Sequence, residues 1–349
     1  MRRLIIVYNP HSSQYIHVKD EVFPDLTKIK GYMVGKFAIK KIPFEDNLKA
    51  LKQFLKNGDL VIAAGGDATA AVSANAILES GKDVTLGVLP YGNFNDLART
   101  LGTKTLSDIV EVVGDDPSRG FRSAPVAGLA RSPRGARPLG RELPKANGRE
   151  RRDPRGVTPT TFYPLDIIVN GKHWRYATCY VTMGMTAEAV ELFDDPKIRK
   201  NLQKGHKSSW RSYIQLMKWY FKNRHKKLFI PEFKINGKLQ PKKTSDYAAV
   251  NGKSMCRVMK GGEDFLVPTI FRSMTDRLAN FWRLSKLMTK SILVRTPGTE
   301  TKGDILEFTI PSTVSLQAEG EYKTFEKVKT IEVIKPDKHL KVFIKKKGL

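Results

Sequence analysis

Cysteine is nearly absent. The 349 residues hold two, Cys179 and Cys256, too few for a disulfide framework or a cysteine-rich zinc site, and a reducing compartment is the natural one. Histidine is scarce too, six in all, with no metal-ligand spacing. Long apolar runs are missing: Leu4 to Val7 is too short for a signal-peptide core, and no segment nears the roughly 20 apolar residues of a membrane span. The expectation is a cytoplasmic protein, soluble or peripheral at the inner membrane surface. Neither a Gly-x-Gly-x-x-Gly fingerprint after the first strand nor a Gly-x-x-x-x-Gly-Lys-Ser/Thr loop occurs, which disfavours a dinucleotide oxidoreductase and a P-loop ATPase. Acidic residues are heavily outnumbered, 35 against 61 basic, for a net charge of +26. A charge of that size concentrates anionic partners, whether phosphate-bearing ligands, anionic headgroups or nucleic acid.

What is present suggests two domains, because single cores stop growing well below this length. The N-terminal part alternates buried strands with helices. "RLIIVYNP" reads as a strand closed by Pro10, "FEDNLKALKQFLKNG" as a helix with Phe44, Leu48, Leu51 and Leu55 on one stripe, and "LVIAA" as a strand at Leu60–Ala64. An alanine-rich helix ending near Gly81, the strand "VTLGVLP" and the helix start "NDLARTL" follow. Such alternation with short connections predicts a doubly wound parallel sheet over residues 1–117.

Residues 118–158 are rich in Pro, Gly and Arg with almost no apolar periodicity, and read as a disordered basic linker or loop. A nucleic-acid arm is the alternative, but no recognition motif accompanies it, so no specific nucleic-acid partner is expected. From residue 159 to 349 the period shifts towards two. Asn170-Gly171 and Asn236-Gly237 are the strongest short hairpin signals, and "TIEVIKPDKHLKVFIK" reads as a hairpin turned at Pro336-Asp337. This half is expected to be an antiparallel β-sandwich with helical inserts at 208–227 and 273–290. The first insert interleaves Trp210, Tyr213, Trp219 and Phe221 with Arg211, Lys218 and Lys222, a pattern suited to an anionic membrane surface if it is not simply packed on the sandwich.

Three loops leave the carboxyl ends of the predicted parallel strands: "YNPHSSQ", "AGGDATA" and "LPYGNFNDLAR". Ligands of open α/β sheets bind at those ends. Glycines at a strand-to-helix turn let backbone N–H groups approach an anion, so Gly65, Gly66 and Thr69 form a candidate phosphate cradle. Asp67 is either a cap or a functional carboxylate. The second turn, Gly92, Asn93, Asn95 and Asp96, repeats the theme, and capping twice over on neighbouring strands is a strained explanation.

These motifs resemble the diacylglycerol kinase catalytic-domain family, which includes bacterial lipid kinases and sphingosine kinases and is distantly related to NAD kinases. Asn9-Pro10-His11-Ser12-Ser13 is similar to its Asn-Pro-x-Ser-Gly, and Gly65-Gly66-Asp67-Ala68-Thr69 to its Gly-Gly-Asp-Gly-Thr. Leu89 to Arg99 is similar to its Leu-Pro-x-Gly-Thr-x-Asn-Asp-hydrophobic-Ala-Arg, and Glu319-Gly320-Glu321 to a late Asp-Gly-Glu. The segment 183–190 resembles the family's Gly-x-Asp-Ala-Glu stretch, with Thr186 where it has Asp. The resemblance implies ATP-dependent phosphorylation of a lipid hydroxyl with Mg²⁺. It assigns nucleotide contacts to Asn9 and Ser12, has Asn95 and Asp96 hold the second glycine turn and the ribose or metal shell, and makes Glu319 the general base with Glu321 beside it and Asp67 as the rival for a base or metal role. A degenerate member that binds without turnover, and a kinase for a soluble substrate, are the alternatives. Ala68 stands where the family has glycine; if that position needs φ > 0, alanine there is strained by about 1 kcal/mol or more.

Overall fold

The computed structural model describes residues 2–12, 14–92, 95–110, 157–184, 187–188, 214, 218–219, 232–239, 244–255, 259–260, 269–274, 301–302, 305–310 and 313–345. The first sheet has the order β2-β1-β3-β4-β20-β5. Its strands are β1 (Arg2–Tyr8), β2 (Tyr32–Ala38), β3 (Leu60–Gly65), β4 (Thr85–Pro90), β5 (Val157–Phe162) and β20 (Leu340–Lys345). Strands β1 to β4 are mutually parallel, with Tyr8 opposite Ala64 and Ala64 opposite Leu89. Leu4 to Val7 and Leu60 to Gly65 are buried throughout, as expected of strands covered on both faces.

The helices are α1 (Tyr15–His17), α2 (Phe44–Phe54), α3 (Asp67–Ser80) and α4 (Asp96–Leu101). Helix α2 buries Phe44, Leu48 and Leu51, the predicted stripe, and α3 is buried on nearly every side. Gly81 ends α3 in the left-handed conformation at φ 65°, the usual glycine C-terminal stop.

The strands that follow build two more six-stranded sheets. One contains β6 (Leu165–Val169), β7 (Lys172–Ala177), β9 (Glu232–Ile235), β10 (Lys238–Leu239), β16 (Ile305–Thr309) and β19 (Thr330–Ile334). The other contains β8 (Tyr180–Gly184), β11 (Thr244–Val250), β14 (Thr269–Met274), β15 (Thr301–Lys302), β17 (Val314–Ala318) and β18 (Glu321–Phe325). A short ladder joins β12 (Ser254–Met255) to β13 (Met259–Lys260). All pairings in these sheets are antiparallel. Ile167, Phe308 and Ile331 of one share a core with Met183, Tyr247 and Leu316 of the other. This is the expected α/β architecture followed by an antiparallel sandwich.

The predicted terminal hairpin does not form. β19 pairs with β16 and β6, whereas β20 crosses to the first sheet and lies parallel to β4 and antiparallel to β5. Turn chemistry at Pro336-Asp337 is local, but sheet membership is decided by burial: Leu340 and Val342 are fully buried in the core of the α/β layer. The first sheet therefore draws β20 and most of β5 from the 159–349 range, and Val157 and Thr158, expected in the linker, form the start of β5. The basic segment 118–158, up to residue 156, and most of the predicted inserts lie outside the described residues, the first insert being described only at Ile214, Lys218 and Trp219.

The two layers are joined by polar side chains. Asn75, fully buried in the middle of α3, accepts from the Tyr176 N–H at 2.8 Å and donates to the Tyr176 carbonyl at 2.8 Å, which splices the helix to the end of β7. Arg175 stacks between Phe44 and Trp174 and pairs with Glu45 at 3.0 Å.

Candidate functional site

The register of β1, β3 and β4 places the three loops side by side. In the first, Asn9 Oδ1 accepts the His11 N–H at 2.9 Å and its carbonyl accepts Ser12 N–H at 3.1 Å; Ser12 Oγ accepts the Gln14 N–H at 3.3 Å. Both residues are partly buried, and both rigidify their own turn.

The second and third loops touch through glycine. A Cβ on Gly92 would lie 2.2 Å from the Gly66 Cα, and one on Gly66 would lie 3.2 Å from the Gly92 Cα. A Cβ on Gly65 would collide with the Thr69 side chain, 2.4 Å from its Oγ1. Thr69 is buried and turned on Gly65, so it shapes the loop and offers little surface of its own. The Gly65 carbonyl accepts the Tyr91 N–H at 3.1 Å, locking the loops together.

Asn95 occupies the left-handed region at φ 55°. It accepts the Gly92 N–H at 2.7 Å and donates to the Gly92 and Pro90 carbonyls at 2.7 and 3.1 Å. Asp67 reaches across to the neighbouring helix: its Oδ1 accepts the Asp96 N–H at 2.7 Å. It is a cap after all, but for α4, not for the helix it begins. Asp96 is fully buried and pairs with Arg99 at 2.8 Å. Burial, and then the charge of Asp96, push the Asp67 carboxyl up to about 6 against the pull of the Asp96 and Leu97 N–H groups.

Ala68 is exposed in the first turn of α3 and is not among the residues with positive φ. The expected strain is absent, since the helix begins at Asp67, one residue earlier than the alanine. Asn93, Ser13 and Thr186 lie outside the described residues.

Glu319 sits in the two-residue turn between β17 and β18, where Ala318 faces Glu321. Glu319 and Gly320 have φ 53° and 89°, the pattern that Asn-Gly adopts at Asn170-Gly171 and Asn236-Gly237, with φ of 50°, 72°, 49° and 74°. Glutamate is a poor residue for that conformation. Nor is it a surface turn residue, being 3% exposed. Its Oε1 accepts from the Thr178 hydroxyl and the Cys179 N–H, while Oε2 is buried with no partner among the described residues. Burial, opposed by the Thr178 and Cys179 donors and reinforced by the charge of Asp67, pushes its carboxyl up to about 7. Burial, then Glu319, Asp67 and Asp96, raise the Cys179 thiol well above its ordinary range. The electrostatic coupling of Glu319, Asp67 and Asp96 across the two layers puts them in one locality. Glu321 begins β18 next to it and is partly buried.

Sequence reading missed Thr178, Cys179 and Asn251. Asn251 donates to the Tyr163 and Thr178 carbonyls at 2.9 and 3.0 Å and accepts from Lys335. Only the isolated Cys179 drew notice, for its rarity.

The glycine-lined loop pair on the α/β sheet and two acids of raised pKa, Asp67 on that layer and Glu319 on the other, are the features from which a functional site can be argued. Residues 3–120 match the family model of the diacylglycerol kinase catalytic domain. The diacylglycerol kinase of Staphylococcus aureus strain JH9 is 37% identical over 103 residues, 29% of this chain and 32% of the relative, and that of strain Newman gives the same figures. The match thus spans about a third of the length of these curated relatives. A solved structure of a diacylglycerol kinase from Bacillus anthracis str. Sterne covers 98% of this chain and 96% of its own, with TM-score 0.56 and 12% identity, a likeness of fold. Among the described residues no helix is long and apolar enough to cross a membrane.

Proposed function

We propose that the protein is an ATP-dependent kinase acting on a hydroxyl of diacylglycerol or a related lipid, with Glu319 as general base. The observation that carries the reading is the state of Glu319: a carboxylate in an unfavourable turn, buried, held by two donors on Oε1 and left with a bare Oε2. Such a group is costly to the fold, and its value lies in chemistry. A carboxyl brought to about 7 exchanges protons readily at neutral pH.

The substrate hydroxyl gives its proton to Oε2 as its oxygen bonds to the terminal phosphorus of ATP and the bond to the bridging oxygen breaks. ADP leaves, and the proton passes from Glu319 to solvent. Backbone at Gly66 and Gly92 supplies the close approach for phosphates, and the positive end of α3 favours their charge. Asn9 and Ser12 border the nucleotide, Asn95 holds the third loop, and Glu321 flanks the base.

Magnesium fits the oxygen chemistry of this edge. Among the described residues no group of three or more potential ligands gathers, so Asp67 would share the ion with phosphate oxygens, as Mg²⁺ commonly prefers. It would neutralise charge on the transferring group. The +26 charge supports docking on anionic membrane; equal flotation with neutral and anionic vesicles would remove that part.

The test is purified protein with γ-labelled ATP, Mg²⁺ and lipid extracts. Label in a lipid fraction, lost in both Glu319→Gln and Asp67→Asn, is expected. Nucleotide binding with no transfer to any lipid sinks the reading in favour of a binding protein, and transfer to a soluble acceptor alone moves it to another substrate class.

A further inference from the structure

The corner that links β7 to β8 is pinned from two directions. Asn75 holds both backbone groups of Tyr176. On the other side Asn251 donates its side-chain amide to the Thr178 carbonyl, and the N–H groups of Asn251 and Gly252 reach the Cys179 carbonyl at 2.7 and 3.2 Å. Thr178 and Cys179, 0% and 1% exposed, are thereby fixed before either meets Glu319. Their two donors then converge on the same oxygen, Oε1, and none goes to Oε2. Buried Thr103 gives its proton to the Val88 carbonyl and buried Thr182 to the Gln317 side-chain amide oxygen; Thr178 instead gives its proton to a carboxylate in a strained turn.

We infer that Thr178 is a positioning residue: with the Cys179 N–H it immobilises Oε1 of Glu319, so that Oε2 alone is presented to the reacting hydroxyl. The assignment rests on the kinase reading above. A donor on the carboxylate favours its ionised form. Burial first, and then the charge of Asp67 from α3, act against that form; the Cys179 thiol beside the corner is itself kept protonated by burial and by the charges of Glu319, Asp67 and Asp96 and adds no charge of its own. Thr178 and the Cys179 N–H are the opposing donors. Removing one should delay ionisation of the base as well as loosen it, a signature that lost packing does not produce.

Three variants test this. Thr178→Val removes the hydroxyl at nearly constant volume, Thr178→Ala does so without placing a methyl against the carboxylate should the valine variant fail to fold, and Thr178→Ser keeps the donor. Lipid phosphorylation is followed from pH 5.5 to 9, and the Glu319 carboxyl is titrated by ¹³C NMR, its signal assigned with Glu319→Gln. A hydrogen bond to a charged group is worth about 1.5–3 kcal/mol, or about one to two pH units. The acid limb of kcat is therefore expected to move up by about one unit in Thr178→Val or Thr178→Ala, with activity at pH 7 down about fivefold and recovering towards pH 9, and the NMR midpoint rising in step. Thr178→Ser should stay within about twofold of the unaltered protein. An unmoved Glu319 midpoint, or a loss of rate equal at every pH, overturns the assignment. If the unaltered protein phosphorylates no lipid, the kinase reading fails by itself, and a raised midpoint in Thr178→Val that Thr178→Ser reverses still upholds the hold on Oε1.

Discussion

Replacing Glu319 by glutamine isolates the energetic consequence of burying this carboxyl. The amide keeps the length of the side chain, the turn, and an oxygen for Thr178 and Cys179, but carries no charge. In the folded protein burial raises the carboxyl from its ordinary 4.5 to about 7; at about 1.4 kcal/mol per pKa unit this is about 3 kcal/mol. The sign follows from proton uptake: between those values the folded state holds a proton that the unfolded chain has given up, so stability falls as pH rises. Below pH 4.5 the carboxyl is neutral in both states and the penalty is absent; above pH 8 it is complete. Urea denaturation from pH 4.5 to 8.5 should show Glu319→Gln and the unaltered protein nearly equal at the acid end. By pH 8 the variant should lead by about 3 kcal/mol. Curves that stay parallel across the range would refute the reasoning, because the carboxyl would then not be desolvated. Phosphate transfer should be lost in the more stable variant, as expected where a site trades stability for function.

Gly92→Ala should prevent folding of the paired loops or lower stability by several kcal/mol, as its Cβ would lie 2.2 Å from the Gly66 backbone; Gly66→Ala, at 3.2 Å, should be milder, and thermal melts rank the two. Asn75→Ala leaves both backbone groups of Tyr176 unpaired in the interior, for an expected loss of about 2–4 kcal/mol by urea titration. Ala68→Gly should not rescue anything: with negative φ in an exposed first turn, glycine is expected to lower stability by at most about 1 kcal/mol, and a Tm increase would show that the alanine is strained.

Much of this was legible in the chain. Leu4–Val7 and Leu60–Ala64 announce parallel strands because both of their faces are apolar, and Asn170-Gly171 and Asn236-Gly237 announce hairpins because asparagine and glycine tolerate positive φ. The same logic hid the third such turn: Glu319-Gly320 has the backbone of an Asn-Gly turn without its chemistry, so local preference makes no case for it and only the resemblance marked it. β5 and β20 were invisible as members of the first sheet, since partners so distant in sequence are chosen by burial. Asp67 was legible as either a cap or a functional carboxylate, and the cap it makes is on a helix that starts 29 residues downstream, which local sequence does not show. The corner at Thr178 and Cys179 carried no motif at all; its role arises from the three elements that meet there.

The position of β20 has a consequence for how the protein is made. Val342 pairs with Leu86, more than 250 residues earlier in the chain. At roughly 5–20 residues per second of synthesis, β4 waits about 13–50 s on the ribosome with one edge unpaired. An open apolar edge is a template for association with other chains. The sheet begun by β1 to β4 therefore stays open on that side until Leu340–Lys345 have been synthesised, and its closure is a late event in folding.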